Sequence, residues 1–111
     1  ERELYHRLAV VVFEQSGEPE AAFRAHRALA EAGVEIGMYD LARDYHYGRG
    51  TAVDAAAAAL WYRRAAEAGH VGAMRALAEH LPYGALGEPA PEEAERWRQE
   101  AEAIRRSYEE D

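Results

Sequence analysis

Apolar residues along this chain recur at helical rather than strand spacing. Gly37, Leu41, Ala42 and Tyr45 fall at i, i+4, i+5 and i+8, and Ala58, Trp61, Tyr62, Ala65 and Ala66 follow at comparable intervals. Ala94, Trp97, Ala101, Ile104 and Tyr108 make one stripe through an otherwise charged segment. Residues three and four apart share a helix face, so each set lays an apolar strip against neighbouring helices and leaves polar side chains outside. Alternation with a period of two is scarce, and the β-branched residues gather mainly in Val10, Val11 and Val12. The pattern predicts an all-α fold with no strands.

Glycine and proline divide the pattern into six predicted helices. The first runs over about 2–14 and stops at Ser16-Gly17-Glu18-Pro19, where Pro19 suits the first position of a second helix over about 19–32. Gly33 closes that helix, and a third spans about 35–47 and ends at Gly48. Asp54 is placed to cap a fourth over about 55–68, which Gly69 closes. A fifth is expected over about 71–81, then a loop from Pro82 to Pro89, then a sixth from Pro91 to near Tyr108, with Glu92 and Glu93 favouring its dipole.

The chain also overlays on itself after a shift of 36 residues. Ala30-Glu31-Ala32-Gly33 falls on Ala66-Glu67-Ala68-Gly69, Met38 on Met74, Leu41 on Leu77, Tyr47 on Tyr83, Gly48 on Gly84 and Trp61 on Trp97. An alanine-rich chain produces alanine matches by chance, but not gapless pairing of Met, Trp, Tyr and Gly. A period in the thirties indicates stacked helical hairpins, each burying its apolar face against the next. The expectation is a single domain over 1–111, a right-handed α-solenoid of about three hairpins with repeats near 1–33, 34–69 and 70–108.

Gly37, Leu41-Ala42, Tyr45, Gly48-Arg49-Gly50, Val53-Asp54, Ala58, Trp61-Tyr62, Ala65-Ala66 and Gly69 together resemble a Sel1-like repeat, a branch of the tetratricopeptide superfamily with a longer glycine-containing loop between its helices. Gly37 and Ala42 stand where such repeats usually carry alanine and glycine, so the small residues are kept in the reverse order. Residues 70–104 carry the resemblance less fully, departing at Pro82 and in the Gly87–Pro91 loop, and residues 1–32 carry it only through Ala22, Ala30 and Gly33. The resemblance implies a role in assembling protein complexes.

Charge narrows the partners. The formal net charge is -8 and the pI about 5.1, so the long-range field opposes nucleic acid and anionic membrane surfaces. No cysteine is present, which removes disulfides and thiolate metal sites. No apolar run approaches the roughly 20 residues of a bilayer span, and a cytoplasmic setting is expected. The chain opens on Glu1-Arg2-Glu3-Leu4 without methionine or a helix cap and reads as a piece of a longer protein. Its first predicted helix, apolar on every side from Leu8 to Phe13, suggests self-association or docking on a neighbouring repeat.

Catalytic signatures are missing. His6, His26, His46, His70 and His80 form neither HExxH nor an i, i+4 pair with an acidic third ligand, so no metal and no cofactor is expected. Ser16 and Ser107 lie in no nucleophile elbow, and Gly48-Arg49-Gly50 lacks the GKS/T ending of a phosphate loop. The remaining constellation comes from the resemblance. The first helix of each tetratricopeptide hairpin lines a concave groove, which points to Tyr39, Arg43, His46 and Tyr47, with Arg75, Glu79, Pro82 and Tyr83 one repeat later and Glu3, Arg7, Val10 and Val11 one repeat earlier. Arginine clamps carboxylates and tyrosine offers rigid contact area. The competing reading is that these cations pair with Asp40, Asp44 and Glu79 on neighbouring turns.

The sequence thus leads to a noncatalytic module that binds a protein or extended peptide, acidic or ending in a carboxylate. The alternative is an accessory or regulatory domain of a larger enzyme or regulator. Ala65→Glu tests the packing that both readings share. An unpaired charge at this position is expected to cost several kcal/mol, read as loss of cooperative thermal melting by circular dichroism.

Overall fold

A computed structural model describes residues 18–109 of the 111. Over them the chain forms α1 (Pro19–Glu31), α2 (Glu35–Tyr47), α3 (Ala55–Glu67), α4 (Val71–His80), a 3-10 turn (Leu81–Tyr83) and α5 (Pro91–Glu109), with no strand among the described residues. The first predicted helix, and with it Arg7, lies outside the described residues. Each helix packs on the next in chain order, the arrangement of an α-solenoid.

The boundaries follow local chemistry. Pro19 occupies the first turn of α1, and Asp54 Oδ1 accepts a hydrogen bond from the Ala57 amide at 3.0 Å to cap α3. At α4 the cap is His70, whose Nδ1 accepts from the Ala73 amide at 3.1 Å, a role the sequence pattern does not suggest. Helix α4 stops at His80, one residue short of the expected end. Pro82 has no amide hydrogen to continue the ladder and converts the following residues into a 3-10 turn.

The 36-residue period reappears in the backbone hydrogen bonds. Asp54 N donates to Tyr45 O at 2.9 Å, and one period later Ala90 N donates to Leu81 O at 2.8 Å. Val34 N donates to Leu29 O and His70 N to Ala65 O, both at 3.0 Å. The first pair ties α2 to the start of α3 and the turn after α4 to the start of α5, and the second ends α1 and α3 and turns the chain into the next hairpin.

The core runs between the helices through small residues. Ala42, Ala58, Ala65, Ala73, Leu41 and Leu77 are fully buried, and Tyr62 is the largest side chain among them, at 1% exposure. Trp61, expected with Tyr62 in the core, is only partly buried, with the Arg64 guanidinium 4.8 Å from its ring centre. Adjacent helix positions point about 100° apart, so one of the two rings takes the centre and the other its margin. Tyr45 is likewise half-buried, edge-on to Phe23 at 5.4 Å. On α5 the apolar stripe is buried at Ala94 and Ala101, partly buried at Trp97 and Ile104, and exposed by Tyr108.

The α1–α2 seam holds a buried polar pair that sequence reading missed. His26 Nδ1 and Asp44 Oδ2 lie 2.6 Å apart at 3% and 2% exposure, and Arg49 Nε stands 3.5 Å from Asp44 Oδ1. Asp44 is therefore no partner for groove-facing cations. The spacing did hold a signal. His26 shares a face with Ala22 and Ala30 at i±4, and Asp44 lies three residues from Leu41.

Two glycines set how closely α1 and the second hairpin approach. A Cβ on Gly37 would lie 2.6 Å from Leu29 Cβ, and one on Gly50 would lie 2.2 Å from the Pro19 carbonyl oxygen and 2.8 Å from Phe23 Cβ. Gly50 also has φ +75°, a left-handed conformation that side chains disfavour. Gly69 has φ +96° but nothing within 4 Å of its Cβ position. Gly69→Ala should therefore cost only the backbone penalty, about 1 kcal/mol. Gly50→Ala should cost about 3 kcal/mol or more, because a backbone contact must also open. Urea denaturation of the two variants checks the difference.

Candidate functional site

Helices α2 and α4 flank a cleft of about 410 Å³. Tyr39, Arg43 and Tyr47, one helical turn apart, line one wall, and Arg75, Glu79 and His80 line the other. Tyr62 reaches the cleft from α3. A second cleft, about 290 Å³, lies between α4 and α5, with Ala78 and Ala101 beside Arg98 and Glu102. Arg75 and Glu79 line both clefts, so the two form one track across α4.

The aromatic wall is held in place before anything binds. Tyr39 stacks on His70 with ring centres 4.6 Å apart and lies 5.9 Å from Tyr62, while the Arg43 guanidinium sits 5.6 Å from its ring centre. His70 is thus fixed twice, as the α4 cap and as the support of Tyr39, and burial pushes its pKa down against the opposing pull of Asp40 and Glu35. Among the described residues, neither Arg43 nor Arg75 lies within ion-pair distance of a carboxylate. The cleft therefore presents two arginines and three tyrosines, a combination suited to an anionic group attached to something flat or apolar.

Behind the Tyr47 wall sits His46. Its Nδ1 is 3.1 Å from the Tyr62 hydroxyl, its ring stacks on Tyr47 at 4.2 Å, and it meets the edge of the His80 ring at 4.6 Å. Burial foremost, then the positive charges of His80 and Arg43, pushes the His46 pKa down, with Glu79 opposing. Burial, with Tyr47 and Tyr39 nearby, pushes the Tyr62 hydroxyl far above the ordinary phenol range, so it stays protonated. The pair is a protonated phenol on a neutral imidazole.

Of the groove residues expected from sequence, Tyr39, Arg43, Tyr47, Arg75 and Glu79 line the cleft, and His46 forms the layer behind it. Tyr83 stands apart at 85% exposure, because Pro82 ends the helical register that would have aimed it inward. Sequence reading missed His80 and Tyr62. The 36-residue partner of His46 is Pro82, so repeat arithmetic passes over His80, and Tyr62 has its body in the core with only its edge in the cleft.

On another face, Glu93 does more than favour a dipole. It accepts two hydrogen bonds from Arg63, at 2.7 and 2.9 Å, and one from Trp97 Nε1 at 3.1 Å, strapping α3 to α5. The Arg63 guanidinium holds the Glu93 carboxyl below the usual range. Among the described residues no three His, Asp or Glu side chains gather as a metal site requires, and no helix is long and apolar enough to cross a membrane.

Comparison with solved structures finds a Sel1 repeat protein from Oxalobacter formigenes, at a TM-score of 0.76 and 29% sequence identity. The match covers 86% of this chain and 41% of that protein, so the chain spans less than half the length of its structural neighbour. No protein-family model and no curated protein matches the sequence.

The titrating groups predict two steps of acid destabilisation. His46 and His70 have folded pKa values below 6.5, so the unfolded chain takes up their protons first, and stability falls as pH drops through 6.5 toward the folded values. Glu93 has a folded pKa below 4.5, so its contribution persists to that point and is lost only further down. Melting temperatures between pH 8 and 3.5 should decline in these two windows, and His46→Gln should shrink the first and spare the second.

Proposed function

We propose that this chain, whose fold is a Sel1-like repeat α-solenoid, is a noncatalytic interaction module that binds an extended polypeptide segment along the track across α4. Arg43 and Arg75 carry the reading. Both face the first cleft without a carboxylate within ion-pair distance among the described residues, in a protein of net charge -8 where acidic side chains are plentiful. A guanidinium left open beside preset aromatic rings favours an incoming carboxylate, from an acidic side chain or a chain end.

Tyr39 and Tyr47 then supply contact area, and Glu79 stands where the first cleft meets the second. The alanine floor at Ala78 and Ala101 takes the apolar part of the same segment. A Sel1 repeat protein as structural neighbour supports the interaction role.

The test is calorimetry with an acidic peptide selected on the wild-type protein from a random library. Arg75→Ala, which alters both clefts, is expected to weaken binding about tenfold or more, and Arg43→Ala and Tyr47→Ala by a similar factor. Leu60→Ala, on an exposed position outside the clefts, should leave it unchanged. Wild-type affinity in all three cleft variants would remove the groove from the reading.

A further inference from the structure

The contact between His46 and His80 joins the two walls of the cleft. The rings meet edge to face at 4.6 Å, one from α2 and one from α4, and His80 also lines the cleft itself. The groups facing His46 are Arg43 and Tyr47 on its own helix, Tyr62 from α3, and Glu79 and His80 from α4. For His80 they are His46 and Glu79, whose Oε1 lies 3.8 Å from its Nε2. Among the described residues, one carboxylate therefore faces two imidazoles and a guanidinium.

We infer that the His46–His80 pair makes the cleft a proton-linked anion site, one that holds a carboxylate-bearing segment more tightly in mildly acidic solution than at neutral pH. The inference rests on the groove reading and adds its regulation. Charging both rings sets like charges together beside Arg43, with Glu79 the carboxylate that faces them among the described residues. Burial first, and then the charges of His80 and Arg43, holds the His46 pKa down. A bound carboxylate supplies the missing negative charge. Binding then draws in a proton, and by linkage affinity rises as pH falls, until the ligand's own carboxylate begins to protonate near pH 4.

The closing experiment uses an acetylated tetraglutamate peptide on the full chain, by calorimetry at pH 7.5 and pH 5.8. Affinity should rise about two- to fivefold on acidification, the range for one added charge at a half-exposed site. In buffers of different ionisation enthalpy, the heat should reveal proton uptake at pH 5.8. In His46→Gln/His80→Gln the ratio between the two pH values should collapse to about one, whatever the affinity at pH 7.5.

Proton-detected NMR of the wild-type histidine rings gives a second reading that needs no substitution. Bound peptide should raise the titration midpoints of both His46 and His80. Peptide that binds with the same affinity at both pH values, or with unmoved midpoints, overturns the linkage and leaves the groove standing. No binding at either pH overturns the groove and the linkage together.

Discussion

How closely the helix backbones approach one another is the constraint on which the rest of this structure depends. Ala42 faces the helix carrying Ala58 and Ala65, Ala73 continues the row, and Gly37 meets Leu29 where no Cβ would fit. Small residues give up apolar area per side chain but let the backbones come near, and the space that remains is filled by Tyr62 and three leucines. The fold therefore has little slack. A methyl group added at Gly50 would meet the first turn of α1, so even the long loop between α2 and α3 is a packing element as well as a connection.

The same tight packing explains why the cleft is preset. Tyr62 has its ring in the core and its hydroxyl on His46, so the layer behind the cleft is anchored to the centre of the protein. His70 caps α4 with one nitrogen and stacks on Tyr39 with its face, so the beginning of one helix fixes an aromatic ring on another. Rings held this way lose little conformational freedom on binding, which is the condition for useful contact area in a recognition groove. The polar links between helices occupy separate faces. His26–Asp44 lies in the α1–α2 seam, Arg63–Glu93 straps α3 to α5, and the cleft arginines are engaged by neither.

Most of the fold was legible in the residues alone, because helix boundaries here are written in local chemistry. Pro19, Gly33, Asp54, Gly69 and Pro91 act within one or two turns of themselves, and the structure places helix ends beside each. The 36-residue overlay worked for the same reason, since equal residues at equal positions make equal backbone bonds, as Tyr45–Asp54 and Leu81–Ala90 do. It faltered where one residue broke the equivalence. Pro82 ends α4 early and turns Tyr83 away from the cleft, and no count of offsets reveals that, since a missing amide hydrogen changes the direction of everything after it.

By itself the sequence determined the all-helical class and the period, since periodicity and capping are short-range properties of the chain, while the groove faces of α2 and α4 came from the resemblance to tetratricopeptide hairpins. Only the tertiary structure decided which of two neighbouring aromatic rings went inside, that Asp44 pairs with His26 rather than with a cleft cation, and that His46 meets His80. Those outcomes depend on side chains brought together from different helices. Burial and pairing are settled there by crossing geometry and by the high cost of an unpaired polar group in the interior, neither of which a single helix contains.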